Sequence, residues 1–242
     1  GYGKLSGKSL EDLRAGERVE VDMHKKDPMD FVLWKSVKPN EPSWDSPWGK
    51  GRPGWHIECS AMAKKHLGDT IDLHHGGVDL LFPHHENEIA QSEAAGYGFA
   101  KRWLHNAWVT ASGEKMSKSL GNSLQVAELI KSVRGIELRW YLGSAHYRSM
   151  LEYSPAALEE SAIGFRRIES FLVRAAEILG SQPEPAISAE FAAAMNEDLA
   201  VPQALAGISE QLRLGNSAIT EKNLAAIASA ASNIRGSLEV LG

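Results

Sequence analysis

The sequence predicts an α/β layer with parallel strands followed by an α-helical bundle. Three observations carry this. Residues 55–110 alternate helix, strand, helix and strand patterns, the signature of parallel strands joined by helices. Beyond residue 154, apolar residues recur at steps of three and four, which gives one buried helical face. With 242 residues, 43% hydrophobic and 24% charged, the chain has the composition and length to build a sizeable core in one or two domains.

Residues 1–35 are mixed and polar, and Arg18–Asp22 (RVEVD) alternates like a short strand. Asn40–Trp55, NEPSWDSPWGKGRPGW, is loop chemistry rich in Pro and Gly. Its three tryptophans are expected to be packing anchors. A helix is expected from about His56 to His66, ended by Gly68. Thr70–His74 (TIDLH) reads as a strand ending in a Gly76–Gly77 turn. Pro83 is suited to the first position of the next helix, which runs through HHENEIAQSEAA to Gly96. Trp103–Thr110 (WLHNAWVT) reads as another strand, and the polar loop ASGEKMSKSLGN follows it.

The rest reads as helical. Ser154–Pro155 opens a helix whose buried face is expected at Leu158, Ala162, Phe165, Ile168, Leu172 and Ala175. Ser181–Pro185 (SQPEP) is a linker. Helical stretches follow at about Ala189–Leu214, interrupted at Pro202, and at Glu221–Leu241.

Composition narrows the function classes. No apolar run nears the roughly 18–20 residues of a membrane span, and no basic-then-apolar signal pattern opens the sequence. Cys59 is the one cysteine, so no disulfide framework forms within the chain and a reducing cytoplasm is the expected location. The net charge is −5. Residues 1–150 hold 20 basic and 19 acidic side chains, whereas residues 151–242 hold 6 and 12. Phosphate contacts are therefore expected from the first 150 residues.

Two groups of residues carry chemistry. His84 and Glu88 are spaced i, i+4 on one expected helix, and Cys59 lies on the preceding one. Cys, His and Glu are all zinc ligands, and three of them leave a tetrahedron one ligand short. By spacing alone His85 and Glu86 are equally well placed, and His74 and His75 end the nearby strand. A buried free cysteine beside a solvated His–Glu pair has the same spacing. The second group is Lys115-Met116-Ser117-Lys118-Ser119, two lysines in a loop after an α/β unit, where mobile point charges suit a transferring phosphate.

The strings GWHIECSAM (Gly54–Met62), GGVDLLFPHHENEIAQSE (Gly76–Glu93) and KMSKS (Lys115–Ser119) together resemble cysteinyl-tRNA synthetases. KMSKS marks class I aminoacyl-tRNA synthetases generally. YGKLSGKSLEDL at the start and AHYRSMLEYSP (Ala145–Pro155) also look like family segments, so the resemblance runs through the whole chain.

The resemblance implies the second half of a class I synthetase Rossmann-like parallel sheet followed by an α-helical bundle. Residues 1–50 would be the end of the connective region and its return to the core. Residues 51–110 would be the second half of the nucleotide-binding domain, and 111–153 the KMSKS loop with a stem-contact segment. Residues 154–242 would be a helical bundle that binds tRNA. The implied reaction is cysteine–tRNA ligation: L-cysteine and ATP give cysteinyl adenylate, which is transferred to tRNA(Cys). The implied ligands of one zinc are Cys59, His84 and Glu88, with a further cysteine in an opening half that this sequence lacks. The ATP-holding HxGH signature belongs to that half too, so the isolated chain is expected to be inactive.

Lys115 and Lys118 are implied as the catalytic lysines, and Lys118, Gly77 and Asp79 as nucleotide-binding. Asp79 reads equally as a turn or cap residue. Trp55 and His74 resemble pocket-wall residues for the amino acid, and both residue types are also common in cores. Magnesium is expected with ATP, and the enzyme is expected to be a cytoplasmic monomer. Alternatives from other classes are a mycothiol-pathway cysteine ligase acting on an amino sugar, and a truncated non-catalytic paralogue. A zinc hydrolase on His84 and Glu88 ranks last, because H-E-x-x-H is absent.

Overall fold

The computed structural model describes residues 1–8, 25–27, 29–111 and 125–242, and the backbone of 114–115. The expected strand Arg18–Asp22 lies outside the described residues, as do Met116–Asn122. The chain forms two compact units, Gly1–Asn106 and Ala107–Gly242. No helix among the described residues is long and apolar enough to cross a membrane.

In the first unit, Trp34–Ser36 (β1) pairs antiparallel with Gly51–Pro53 (β2), with Lys35 opposite Arg52. Helix α1, Trp55–Leu67, follows directly. Lys64, Lys65 and His66 fill its last turn, where cations complement the helix dipole, and Gly68 ends it at φ +95°. Strand β3, Ile71–Gly77, runs parallel to β4, Ala100–Asn106, in register from Ile71↔Ala100 to Gly77↔Asn106.

Two sequence expectations shift here. Gly76 and Gly77 are not a turn but the last paired residues of β3, opposite His105 and Asn106. A Cβ on Gly76 would sit 2.7 Å from the His85 ring, so glycine admits that ring against the strand. Helix α2, Glu86–Ala94, also begins later than Pro83. Phe82 is extended (φ −141°, ψ 134°), as the residue before a proline prefers, and this breaks the coil of Leu81–His85 ahead of α2.

In the second unit, β5 (Val109–Ala111) lies between β6 (Glu114–Lys115), antiparallel to it, and β7 (Leu151–Tyr153), parallel to it. The single strand expected over Trp103–Thr110 is therefore two. After Asn106 the backbone changes partners: Ala107 N–H donates to Tyr147 O at 2.7 Å, and Leu151 N–H to Trp108 O at 3.0 Å. The next segment is not wholly helical, since β7 interrupts it after the short helix α3, Val126–Leu129, and α4, Gly135–Gly143.

Glu137 fastens α4 to the bundle. Its side chain is 1% exposed and accepts from Arg166 Nε at 2.7 Å, Arg134 N–H at 2.8 Å and Arg134 Nε at 2.9 Å. The Arg166 bond, joined by those from Arg134, outweighs burial and lowers the Glu137 carboxyl from 4.5 to about 2. A lowered folded-state pKa adds stability that is full above about pH 4.5 and is lost as pH falls towards 2. Urea midpoints should therefore fall more steeply over that window for the wild type than for Glu137→Gln. Equal slopes would refute this role.

The bundle holds α5 (Pro155–Leu179), α6 (Ala189–Asn196), α7 (Val201–Glu221) and α8 (Leu224–Leu241). The Ser154, Ser188 and Asn223 side chains cap α5, α6 and α8 by accepting from Ala157, Phe191 and Ala226 N–H. The buried face of α5 follows the expected positions, except that Phe171 is wholly buried where Leu172 is only partly so. The break before α7 falls at Glu197–Ala200, which leaves Pro202 in the first turn where its missing N–H costs nothing. Helix α7 then runs unbroken past Leu214 to Glu221. Gly215, inside α7, lets Phe171 of α5 pack close against the helix, because a Cβ there would lie 2.3 Å from Phe171 Cζ. Ala186, directly after the linker, donates its N–H to Ser232 O at 3.0 Å, so the end of the Pro-rich connection is held against α8.

Candidate active site

The start of α2 is the most unusual stretch of the first unit. His84, His85, Glu86, Asn87 and Glu88 are five consecutive polar residues, all at most 4% exposed. Buried polar groups need partners, so each side chain must be accounted for.

Four of the five have partners. His84 Nδ1 lies 2.8 Å from His56 Nδ1 on α1. His85 Nδ1 lies 2.7 Å from His105 Nε2 on β4. Asn87 Oδ1 accepts from the Tyr2 hydroxyl at 2.5 Å. Glu86 accepts three backbone N–H groups of the opening segment, from Gly3 at 2.9 Å, Leu5 at 3.1 Å and Ser6 at 2.9 Å. That engagement separates Glu86 from Glu88, which spacing alone does not.

Glu88 is the exception. It is fully buried, and neither carboxylate oxygen has a hydrogen bond of acceptable geometry. Its oxygens are nevertheless crowded by nitrogen: Oε1 lies 2.7 Å from His84 Nε2, and Oε2 lies 3.1 Å from His74 Nε2. Ligand atoms of Cys59, His84 and Glu88 all fall within 4.8 Å of one another, as do those of His74, His85 and Glu88. Donors that converge on one point without donating to each other have the arrangement of a cation shell. A thiol, an imidazole and a carboxylate are also a zinc-type donor set. The residues present therefore fit a zinc ion.

The electrostatics of the two imidazoles agree. Burial pushes the His84 imidazole down from its usual value, and it pushes His85 down to about 3. Neutral imidazole is the ligating form. Burial raises the Cys59 thiol, and the Glu88 and Glu58 charges add to this. His56, not singled out by the sequence reading, ties up His84 Nδ1 and leaves Nε2 directed at Glu88. Its signal is faint, because the two histidines are 28 positions apart on different helices.

Around the cluster, the Trp55 ring stacks on His84 with centroids 4.3 Å apart. His74 stands on β3 against His85, Phe99 and Trp103. Both pocket-wall candidates therefore flank the ligand set. Gly77 ends β3, and Asp79 lies in the single turn Val78–Leu80. A Cβ on Gly77 would meet Asp79 Oδ1 at 2.6 Å, so the carboxylate folds back over the glycine. Lys115 is placed by its backbone in β6, opposite Thr110, in the second unit. Lys118 lies outside the described residues.

Comparison with known proteins bears on this site. The family described as "tRNA synthetases class I (C) catalytic domain" matches residues 1–163. A protein of Streptomyces griseus named "Cysteine--tRNA ligase" is 55% identical over all of this chain and 52% of its own length. One of the same name from Streptomyces avermitilis is 53% identical, again over all of this chain and 52% of its own. The chain thus spans about half the length of the curated relatives it matches. Two solved structures share the fold at low identity. Mycobacterium tuberculosis methionyl-tRNA synthetase in complex with methionyl-adenylate gives a TM-score of 0.51 at 20% identity, over 70% of this chain and 40% of its own. The Agrobacterium radiobacter K84 agnB2 LeuRS-tRNA-LeuAMS complex gives 0.56 at 16% identity, over 82% and 31%.

Proposed function

We propose that this chain is part of a cysteine–tRNA ligase, starting from the premise that it belongs to the family of class I (C) tRNA synthetase catalytic domains. The reaction activates L-cysteine with ATP and transfers the cysteinyl group to tRNA(Cys). The observation that carries it is the buried Glu88 carboxylate, without hydrogen bonds and converged upon by Cys59 and His84.

Cys59, His84 and Glu88 would hold the zinc, with a fourth position left for a ligand from elsewhere. When bound there, zinc supplies a soft Lewis acid that prefers sulfur to oxygen. A cavity shaped by contacts alone separates such close analogues poorly, which is why a thiol-selecting group is needed. The chain's own residues do the remaining work. Trp55 stacks on His84 from the start of α1 and would wall that side of the site. His74 flanks the Glu88 carboxylate, with Nε2 3.1 Å from Oε2. Gly77, the last residue of β3, and Asp79, in the turn that follows it, stand at the carboxyl end of the strand where a ribose would lie, with Asp79 accepting from its hydroxyls. Lys115 and Lys118 would neutralise the charge developing on departing pyrophosphate. The same reading carries magnesium with ATP and a monomeric, cytoplasmic enzyme.

The test is aminoacylation by the full-length protein. It should charge tRNA(Cys) with cysteine and discriminate strongly against serine. Equal use of serine would sink the thiol-selecting site, and no charging would sink the ligase reading. His56 provides a second check. His56→Ala should weaken zinc binding by about ten- to a hundredfold in chelator competition, the usual loss when an outer partner of a ligand is removed. His56→Asn should recover part of it. Unchanged affinity in His56→Ala would exclude a positioning role.

A further inference from the structure

The corner between α6 and α7 is built against the preference of its backbone. Asp198 and Leu199 are consecutive non-glycine residues at φ +50° and +54°, in the left-handed region. Aspartate visits that region through its short polar side chain, whereas leucine disfavours it. Such conformations persist only where the surrounding contacts over-determine them.

Those contacts come from one short segment between α4 and β7. The Asp198 carboxylate accepts from the Tyr147 hydroxyl at 2.6 Å and from Arg148 Nε at 2.7 Å. The Asp198 backbone oxygen lies 3.0 Å from His146 Nε2. Three consecutive side chains thus close on one residue about fifty positions later. They also support one another: the His146 and Tyr147 rings stack with centroids 4.8 Å apart, and the Arg148 guanidinium lies 5.0 Å from the Tyr147 ring centroid. The Arg148 bond, with that of Tyr147, holds the Asp198 carboxyl below its usual range. A lone exposed ion pair adds little. This one differs because its donors also hold a backbone turn that would otherwise relax.

The same segment is fastened on its other side to the small sheet. Ala107 N–H donates to Tyr147 O, and Leu151 N–H donates to Trp108 O. Strand β7 follows and pairs with β5 from Val109↔Leu151 to Ala111↔Tyr153. The Thr110 hydroxyl donates to the Glu152 carboxylate across that pair. On the far side of β5, Thr110 stands opposite Lys115 of β6. A continuous run of hydrogen bonds therefore leads from the α6–α7 corner to the strand that carries Lys115.

We propose that Asp198 is a positioning residue for Lys115: it clamps His146–Arg148 to the helical bundle, and the clamped segment fixes the placement of the β7–β5–β6 sheet. The consequence for catalysis rests on the ligase reading. The clamp itself rests on hydrogen bonds and backbone angles within the second unit.

Two measurements on the full-length protein test it. Amide hydrogen exchange followed by mass spectrometry reports on the sheet, whatever reaction the enzyme catalyses. Asp198→Ala should speed exchange over residues 109–115 by about tenfold, within the coupling range of one hydrogen-bonded network. Asp198→Asn keeps an acceptor oxygen and the tolerance of left-handed backbone, and should recover part of the protection. Phe171→Leu loosens the bundle without touching the clamp, and should leave these strands within about twofold of wild type. Cysteine-dependent ATP–pyrophosphate exchange is the second measurement. Asp198→Ala should lower kcat by a factor similar to that in hydrogen exchange and leave KM for cysteine unchanged, the pattern of an interaction used in the transition state. Asp198→Asn should again recover part. Wild-type protection of residues 109–115 in Asp198→Ala would overturn the clamp. An equal loss in Phe171→Leu would overturn the positioning role and make Asp198 a stabiliser of the bundle. A faster-exchanging sheet with unchanged kcat would overturn the link to Lys115. A wild-type enzyme without cysteine-dependent exchange would sink the ligase reading alone, and hydrogen exchange would still decide the clamp.

Discussion

Cys59→Ser in the full-length enzyme should lose bound zinc and cysteine activation together. The substitution is nearly isosteric and Cys59 is only partly buried, so the fold of α1 is expected to persist. The chemistry changes far more than the shape. A thiolate is a strong zinc ligand, and a serine hydroxyl is not. The shell would then retain His84 and Glu88, and Glu88 cannot turn to water because it is fully buried. Zinc affinity should fall by more than about a hundredfold, the upper end of what removal of an outer partner costs. Cysteine-dependent ATP–pyrophosphate exchange should fall in parallel. Zinc content by atomic emission and exchange rates are the two measurements. Full activity in a zinc-free Cys59→Ser protein would dismiss the metal as the thiol selector.

The second large effect concerns stability. Phe171 is fully buried at the centre of the bundle and packs against Gly215 of α7. Phe171→Ala should destabilise the second unit by about 3–5 kcal/mol, the range for emptying a buried aromatic site. Phe171→Leu should cost less, because it leaves a smaller cavity. Gly215→Val approaches the same contact from the other side and should cost about 1–3 kcal/mol by overpacking. Urea denaturation followed by far-UV circular dichroism measures all three. A Phe171→Ala protein within about 1 kcal/mol of wild type would mean that the bundle closes around the gap, against the usual behaviour of packed cores.

What the sequence reveals depends on how far apart the cooperating residues lie. The α/β alternation over residues 55–110 and the capped helix at Pro155 are local patterns, and the structure follows them. Helix α4 escapes a periodicity reading because GIELRWYLG has apolar residues around most of its circumference. Strand β7 escapes because three residues carry no alternation, and its pairing with β5 joins positions some forty apart. At the site, the i, i+4 spacing of His84 and Glu88 points to a shared face, and Cys59 stands on the neighbouring helix. The partners that distinguish Glu88 from Glu86 are not local. His56 is 28 positions from His84, and the backbone that engages Glu86 is some eighty positions away. Trp48 misleads for a related reason. Loop composition favours a tucked-in indole, whereas Trp48 stands exposed directly before the turn at Gly49.

The grip of Glu86 on residues 3–6 has a kinetic side. The three N–H donors are made among the first residues of this stretch, and the acceptor arrives some eighty residues later. Until it does, the turn that presents His84 and Glu88 has an unpaired carboxylate at its start. The local helix can form quickly, whereas the contact that buries its polar face must wait for a long loop to close. The ligand shell is thus expected to order after the local helices of its unit.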